Sequence, residues 1–543
     1  MSPGMPSSAA EAPPREAVGP LIRGLAVLRA LAGSGGRQRV SDLVRSAGLP
    51  RATVDRVIAT LEAAGHVRLE GRAAVLTPRL MELGNAYLAS CRLPGLLGPL
   101  ADALADELDE SVSVAVPDLD GVRFVHQATR RRAMSLTFRV GDLLPAERSA
   151  PGALFAADWT EAQWDDWRRR RAADPSGGGF PAVPPDDGTA RASFPERAAE
   201  ARARGWAVDD QLVEPGLVAV AAPVHDAAGA VVCAVSVVSH TSRHTAASLT
   251  ETALPRLRAT IARMRDALDV PPPESPPPAV GPGAPGPVES LARGLSVLAA
   301  FGGGHPGLPL TAVAEATGLP RATVRRALIT LEHLGYLTTT GRLFRPTPRV
   351  LDLGFAHLSG LTLPQIAEPH LAALVEEVRE SASMSVLNGE EIQYVARVPT
   401  VRIMSVTITV GTRFPAYATS MGRVLLAGLP EPERRDHLTR TDLRPLTPRT
   451  ITSRDRLLDV LADVERQGYA HVDDELEEGL RSIAVPVRDR TGRVIAAVNV
   501  SSHTGQSPPE EARARLLPPL REAAAAIEAD VRIAGRYTRL ALT

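Results

Sequence analysis

The heptapeptide at residues 48–54, GLPRATV, stands again without change at residues 318–324. It decides the fold because it reads as the turn and the entry of the last helix of a helix-turn-helix. Residues 40–47 form a short helix that Gly48 stops, since glycine takes the left-handed C-cap conformation with no Cβ penalty. Leu49-Pro50 makes the turn, and Pro50 suits a helix start, where its missing N–H has no partner to lose. In the helix that follows, Val54, Ile58 and Leu61 recur at helical spacing and face inward, while Arg51, Ala52, Asp55 and Arg56 face outward. Gly65 ends it. Residues 66–69 and 74–76 then read as two short strands around Gly71-Arg72, a wing. Upstream, Leu21, Leu25, Leu28 and Leu31 form the apolar stripe of a first helix. The second copy keeps this order: Val324, Leu328 and Leu331 inward, Arg321, Ala322, Arg325 and Arg326 outward, Gly335 as the stop, and strands flanking Gly341-Arg342.

Outward from the heptapeptide the duplication is extensive. Between residues 21–79 and 291–349, 25 of 59 positions match at an offset of 270. Val140-Gly141 and Pro145-Ala146 match Val410-Gly411 and Pro415-Ala416 at the same offset. Ser239-His240-Thr241 matches Ser502-His503-Thr504 at 263, so the first copy carries seven additional residues, placed near 174–188. Repeats of roughly 250 residues exceed any solenoid unit, and the chain reads as two copies of one two-domain protein. The joint, 270–287, has nine prolines in 18 residues. Such a segment favours extended polyproline II and spans up to about 55 Å.

Composition bounds the partners. The 543 residues suit several domains, and 44% hydrophobic with 23% charged residues is ordinary for a globular chain. The net charge is −1, and all 61 basic residues are arginine, so any basic surface is local. Aromatic residues make up 3%, which argues against a base-stacking single-strand binder. Two cysteines, Cys91 and Cys233, exclude a disulfide scaffold and a cysteine-based zinc site. There is no apolar run of about 18 residues and no secretory leader pattern, so the expected location is the cytoplasm, with no membrane contact.

A winged helix-turn-helix places the start of its last helix in the major groove. Arginine there reads guanine bidentately, small residues allow close approach, and wing arginines reach phosphate. The candidate DNA-binding residues are therefore Arg51, Ala52, Thr53, Arg56 and Arg72 in the first copy, with Arg321, Ala322, Thr323, Arg325, Arg326 and Arg342 in the second. Asp55 faces outward where the second copy has Arg325, which predicts an operator with unequal half-sites dominated by the second copy.

RGLxVL, GLPRATVxRxxxTLExxG and the LTPR and PTPRVLDLG stretches together resemble the DNA-binding half of IclR-type transcriptional regulators. In the second copy IAEPHL, SASMSVLNGEEIQYVARV, VGTRFPAYATSMGRVLLA and GLRSIAVPV resemble the branch that controls aromatic-acid catabolism through protocatechuate and β-ketoadipate. The resemblance implies a GAF-like α/β effector domain behind each winged helix. The residues themselves read as α+β. Residues 369–380 are amphipathic, and 382–387, 391–398, 403–410, 483–487 and 494–500 are strands of an antiparallel sheet. The expected organisation is a disordered tail 1–17, winged helix-turn-helix 18–79, linker helix and effector domain 80–269, Pro-rich linker 270–287, winged helix-turn-helix 288–349, linker helix and effector domain 350–536, and a tail 537–543. Residues 79–90 and 349–359 read as the connecting helices.

No catalytic constellation, metal cluster or cofactor loop is legible, so the expectation is no enzyme, no metal and no cofactor. The run Asp473, Asp474, Glu475, Glu477 and Glu478 reads as a solvated loop, and His240 and His503 as surface or satisfied histidines. The resemblance carries an effector site onto Thr419, Ser420, Met421, Gly422, Asp473, Ser482, Asn499 and Ser501. The helix N-terminus at 420–422 suits a carboxylate, and Met404 joins Met421 as a soft apolar wall. The ligand implied is a small carboxylic acid, aromatic or β-ketoadipate-like. At the matching places the first copy has Ser149, Ala150, Pro151, Gly152, Asp209, Ala219, Ser236 and Val238, a pocket altered for that acid. The four tryptophans, all in the first copy, read as core or interface. The partners expected are an operator duplex, a small carboxylate and a second chain, giving a homodimer that is a pseudo-tetramer. Two other readings stay open: a sensor acting through a protein partner without DNA, and a cryptic hydrolase.

Overall fold

A computed structural model of the chain describes residues 13–130, 138–184, 193–400 and 408–543. The first winged helix-turn-helix has helices Gly19–Gly33, Val40–Ala47 and Arg51–Ala63 and wing strands Val67–Glu70 and Ala73–Leu76. Its wing gains a third strand, Arg37–Arg39, on the free edge of Ala73–Leu76. Three polar residues carry no alternation, so this strand leaves no sequence signal. The second domain has helices Glu289–Ala299, Leu310–Thr317 and Arg321–His333 and a two-stranded wing, Leu337–Thr340 with Leu343–Pro346. Gly48 and Gly318 take φ of 64° and 66°, the left-handed conformation that the turn requires.

The two winged helix domains pack on each other about a pseudo-twofold axis. A Cβ on Gly24 would overlap the side chain of Leu291, and a Cβ on Gly294 would overlap that of Leu21. The two leucines are fully buried. The same symmetry relates two backbone-to-side-chain bonds. The Val18 N–H donates to Thr330 Oγ1 at 2.9 Å, and the Val288 N–H donates to Thr60 Oγ1 at 3.0 Å. The Pro-rich segment follows this pair closely. Arg92 donates to the carbonyls of Val270 and Pro271, and the Val280 N–H donates to the Ala316 carbonyl. Of the expected tail, residues 1–12 lie outside the described residues. Residues 13–15 are exposed and Glu16 and Ala17 half-buried, with the Ala17 N–H donating to the Pro14 carbonyl in a turn.

Each effector domain is a six-stranded antiparallel sheet with helices on both faces. In the first copy the order is Leu143–Pro145, Gly121–Ala128, Ser111–Asp118, Val231–His240, Leu217–His225, Ala207–Asp210. In the second it is Arg413–Pro415, Glu391–Val398, Ser381–Asn388, Val494–His503, Leu480–Arg488, Ala470–Asp473. Of the strand expected at 403–410, residues 403–407 fall outside the described residues and 408–410 carry no strand. The edge strand is Arg413–Pro415, held by pairs such as Ile392 with Phe414. The short helix Ser420–Ala427 covers one face of the second sheet, and the long helices Leu363–Val378 and Pro509–Ala534 cover the other. Among the described residues no helix is long and apolar enough to cross a membrane.

The chain forms two compact units that meet in sequence at Ser359 and Gly360. The first unit holds both winged helix domains, the first effector domain and the second copy's connecting segment. That segment departs from its twin. Met81–Cys91 is one continuous helix, whereas the second copy has a 3-10 helix, Pro348–Leu353, a break at Gly354 with φ 104°, and one further turn, Phe355–Leu358. Gly84 and Gly354 occupy matching positions, and only glycine adopts both conformations without strain. Asp352 on this segment meets Arg123 of the first effector domain at 2.6 Å, and Arg123 also bonds Asp118 and the Gly141 carbonyl. Arg123 is buried, and its two carboxylate partners outweigh the burial and hold the guanidinium charge more firmly than usual.

The glycine seam generates a prediction. Gly24→Val and Gly294→Val each force Leu291 or Leu21 out of its seat, at a cost of about 1–3 kcal/mol from overpacking. Thermal unfolding of the full chain is expected to show a lowered transition for both variants, and for neither if the helices have slack at the crossing.

Candidate DNA-reading and effector sites

Both copies present the start of the recognition helix to solvent. Arg51, Ala52 and Arg56 are exposed and Thr53 is half-buried, and Arg321, Ala322, Arg325, Arg326 and Thr323 follow the same pattern. Arg72 and Arg342 are exposed at the tips of their wings. The arginines differ in their partners. Arg51 lies 3.6 Å from Asp55 one turn on. Arg56 donates to the Pro287 carbonyl at 2.8 Å. In the second copy Arg325 pairs with Glu16 at 2.7 Å, and Arg326 reaches the Glu16 carbonyl at 3.4 Å. Arg56 and Arg326 therefore bridge to the segment leading into the other copy's first helix. Sequence reasoning took them for free groove readers because those segments lie hundreds of residues away. Exposed ion pairs of this kind are weak, about 0–1 kcal/mol, and a phosphate competes for the same guanidinium.

In the second effector domain the residues predicted from sequence come together on one face of the sheet. Ser420 Oγ and Ser482 Oγ are 2.6 Å apart, Asn499 Nδ2 donates to Ser482 Oγ at 2.8 Å, and it also reaches Ser501 Oγ at 3.0 Å. Met421 lies buried beside them in the apolar cluster under the helix. The Thr419 hydroxyl caps the helix by accepting from the Gly422 N–H at 3.0 Å, so that N–H is already engaged. Gly422 is required for packing, because a Cβ there would collide with the Ala416 carbonyl. Met404 lies outside the described residues.

Asp473 is not part of this cluster. It stands opposite Arg481 in the strand pairing and accepts from Arg481 Nε at 2.7 Å, on the sheet face away from Ser482. The acid that does meet the helix is two residues on. Glu475 is buried and takes a bidentate pair from Arg423, at 2.8 and 2.6 Å, as well as the Ile451 N–H at 3.1 Å. The acidic run is thus a fastened loop, with Asp474 accepting from Gly479 N–H at 2.6 Å.

Three further residues of this face were missed. Ser383 pairs across the strands with both Arg397 and Asn499, which puts Arg397 on the same face as the serine cluster. Burial lowers the pKa of the Arg397 guanidinium and raises that of the neighbouring Tyr394 phenol to about 12. Ser385 follows on the same strand, and its hydroxyl, like Asn499 Oδ1, is buried without a partner among the described residues. The alternation of SASMSVLN and EIQYVARV carried this information, but the third strand needed to fix the register was misplaced.

The matching face of the first copy is almost stripped of hydroxyls. Ala150, Ala219 and Val238 replace Ser420, Ser482 and Ser501, and Ser149 caps its helix through the Gly152 N–H at 3.1 Å. Pairing also corrects one correspondence. Asp210 with Val218 repeats Asp473 with Arg481, whereas Asp209 with Ala219 repeats Val472 with Ser482. Asp209 therefore points inward where the second copy is apolar. Three of the tryptophans, Trp159, Trp164 and Trp167, pack with Phe194 against the core of this domain, while Trp206 stacks under Arg204.

The buried pair Arg423–Glu475 yields a test, since the first copy has Ala153 and Leu212 in those places. Arg423→Met leaves Glu475 without its cation and is expected to cost about 3–5 kcal/mol. Adding Glu475→Leu is expected to recover most of the loss in denaturant unfolding. A double variant no more stable than the single would show that the pair does not act as a unit.

Comparison with known proteins follows this geometry. The model of the IclR helix-turn-helix domain matches residues 20–71 and 290–341, and that of the bacterial transcriptional regulator IclR C-terminal domain matches 85–264 and 355–529. The Pca regulon regulatory protein of Pseudomonas putida is 46% identical over 230 residues, 42% of this chain and 79% of that protein. The Pca operon regulatory protein of Acinetobacter baylyi is 36% identical, covering 44% of this chain and 87% of that one. The p-hydroxybenzoate hydroxylase transcriptional activator of the same organism is 38% identical, covering 44% and 89%. With two helix-turn-helix domains, each followed by its C-terminal domain, the chain belongs to the IclR family of bacterial transcriptional regulators, twice over in one polypeptide.

Proposed function

We propose that this regulator reads an asymmetric operator with its two winged helices as an intrachain pseudo-dimer, and that it responds to a small carboxylic acid, aromatic or β-ketoadipate-like, bound in the second effector domain. The observation that carries the first half is the reciprocal seating of Leu21 on Gly294 and Leu291 on Gly24, which pairs the two readers inside one chain. Both recognition helices remain exposed. The helix face of the first copy carries Asp55 beside Arg51, whereas the second carries Arg321, Arg325 and Arg326 with no acid of its own. Half-sites of unequal strength follow.

The ligand reading is supported by the second domain's polar face. Arg397 supplies a positive charge, Asn499 Oδ1 and the Ser385 hydroxyl await partners, and Met421 and Tyr394 supply apolar walls. An arginine bonds a carboxylate with charge-assisted geometry. The relatives named for the Pca regulon and for p-hydroxybenzoate hydroxylase agree with an aromatic acid. Ligand and DNA then act on one equilibrium, and a coupling of about 1–3 kcal/mol suffices for control. Assembly of two such chains would give a pseudo-tetramer.

For DNA, binding to the chain's own upstream region is expected to fall steeply with salt, because arginine–phosphate contacts release counterions. Arg326→Ala is expected to weaken it more than Arg56→Ala, because Arg326 stands beside Arg325 whereas Arg56 stands beside Asp55. Equal losses in a gel-shift titration would remove the asymmetry, and no binding at low salt would favour a sensor working through a protein partner. For the effector, 4-hydroxybenzoate at about 100 times its dissociation constant is expected to stabilise the chain by about 2.7 kcal/mol. Ser482→Ala and Arg397→Gln are both expected to abolish that thermal shift. A shift that survives both would place the ligand elsewhere.

A further inference from the structure

The inner faces of the two effector sheets differ in the sign of their charge. At the place of Arg397 the first copy has Gln127, paired with Ser113 as Arg397 is with Ser383. At the place of Val472 it has Asp209. The second copy's face thus carries a cation and no inward carboxylate on its last strand, while the first copy's face carries a carboxylate in place of that cation. Asp209 is only 2% exposed and sits among apolar residues, opposite Ala219 and near Val238. Its Oδ1 accepts the Leu212 N–H at 2.7 Å and the carboxyl also takes the Val213 N–H, which fastens the loop; two oxygens with four lone pairs can accept further donors. Burial pushes its pKa up to about 7, outweighing the N–H groups of Leu212 and Val213 and the charge of Arg197, which all favour the carboxylate. The arginines behind the loop are occupied with carbonyls, Arg148 with those of Leu212 and Val213, and Arg197 with that of Glu147.

A second observation points to an occupant. Ser236, 3% exposed, stands where Asn499 stands in the second copy, and its Oγ has no partner among the described residues. Asp209 and Ser236 lie two strands and two residues apart on the same face, about 12 Å between backbones. That separation suits one small molecule bonded at both ends. Resting on the effector reading above, we infer that the first effector domain is a second sensing site of opposite polarity, which takes a small organic ammonium ion with an apolar or aromatic body. The ammonium would offset the burial of Asp209, a hydroxyl would meet Ser236, and the alanines and Val238 that replace the serines would take the ring.

The test uses the full chain and two probes of nearly equal shape, 4-hydroxybenzylamine and 4-hydroxybenzoate, in titration calorimetry. The amine is expected to bind at one site per chain. Asp209→Asn, which keeps the acceptor for Leu212, is expected to weaken the amine at least tenfold and leave the benzoate unchanged, and Arg397→Gln is expected to do the reverse. Ser236→Ala, which keeps the fold's packing, is expected to weaken the amine several-fold. The inference is overturned if the wild-type chain does not bind the amine, if Asp209→Asn and Ser236→Ala bind it as tightly as wild type, or if the benzoate occupies two sites per chain. Amine binding that depends on Asp209, with no benzoate binding at all, would sustain this site and remove the carboxylate reading of the second copy.

Discussion

Two hydrogen atoms hold the arrangement together. At Gly24 and Gly294 the absence of a side chain lets Leu291 and Leu21 seat against the opposing helix. Each buried leucine contributes on the order of 1.5–3 kcal/mol. The seam fixes the separation of the two recognition helices and the direction in which each presents its first turn. The bonds from Val18 to Thr330 and from Val288 to Thr60 add register. Because both halves belong to one polypeptide, the pair forms at the high effective concentration of tethered partners and needs no second chain. The Pro-rich segment contributes to this as a strap bonded to Arg92 and Ala316 as well as a spacer.

A dimer of identical subunits cannot differ between its halves, whereas a tandem copy can. The consequences are visible at matched positions. Gly84 lies inside a helix and Gly354 breaks one. Arg123, whose counterpart is Gln393, ties the first effector domain to Asp352, a contact for which the second domain has no equivalent arginine. Asp352 is partly exposed and Arg123 keeps the buried Asp118 when the contact opens, so the tie can be released without stranding a charge. The first effector domain is fastened to the segment that follows the second reader. Whatever alters that domain's packing acts on the second copy's connecting segment through Arg123.

Much of this was legible in the residues. The repeated GLPRATV, the glycines at 48, 65, 318 and 335, and the inward triads Val54-Ile58-Leu61 and Val324-Leu328-Leu331 specify the readers, because a helix-turn-helix is built from local signals: caps, turns and one apolar stripe. The serine cluster was legible only through resemblance, and the hydrogen bonds among Ser420, Ser482, Asn499 and Ser501 supply its physical reason. What was not legible depended on register. Asp473 and Asp209 are neighbours of their true counterparts, and in a strand one residue reverses the face. The pairing of Asp209 with Ala219, four strands from Gln127, is a fact of tertiary structure that no window of sequence contains. The same holds for Arg56 and Glu16, whose partners lie in the other copy.

The divergence of the two pockets bears on what a tandem regulator gains. If the first copy served only to complete the pair of readers, its inner face would be free to become wholly apolar, as Ala150, Ala219 and Val238 show it has begun to do. A buried carboxylate runs against that drift. Asp209 costs free energy wherever it is charged and uncompensated, and a valine at the same place serves the second copy. Asp209 does fasten the Leu212 loop, where the second copy uses Glu475 and Arg423, but two N–H groups need only an acceptor and not a buried charge. A carboxyl kept in a core that is otherwise losing its polar groups, two strands from a serine hydroxyl with no partner among the described residues, is the pattern of a site and not of a relic. On that reading the covalent duplication joins two chemical inputs of opposite charge to one asymmetric DNA contact, which a symmetric dimer of identical subunits cannot do.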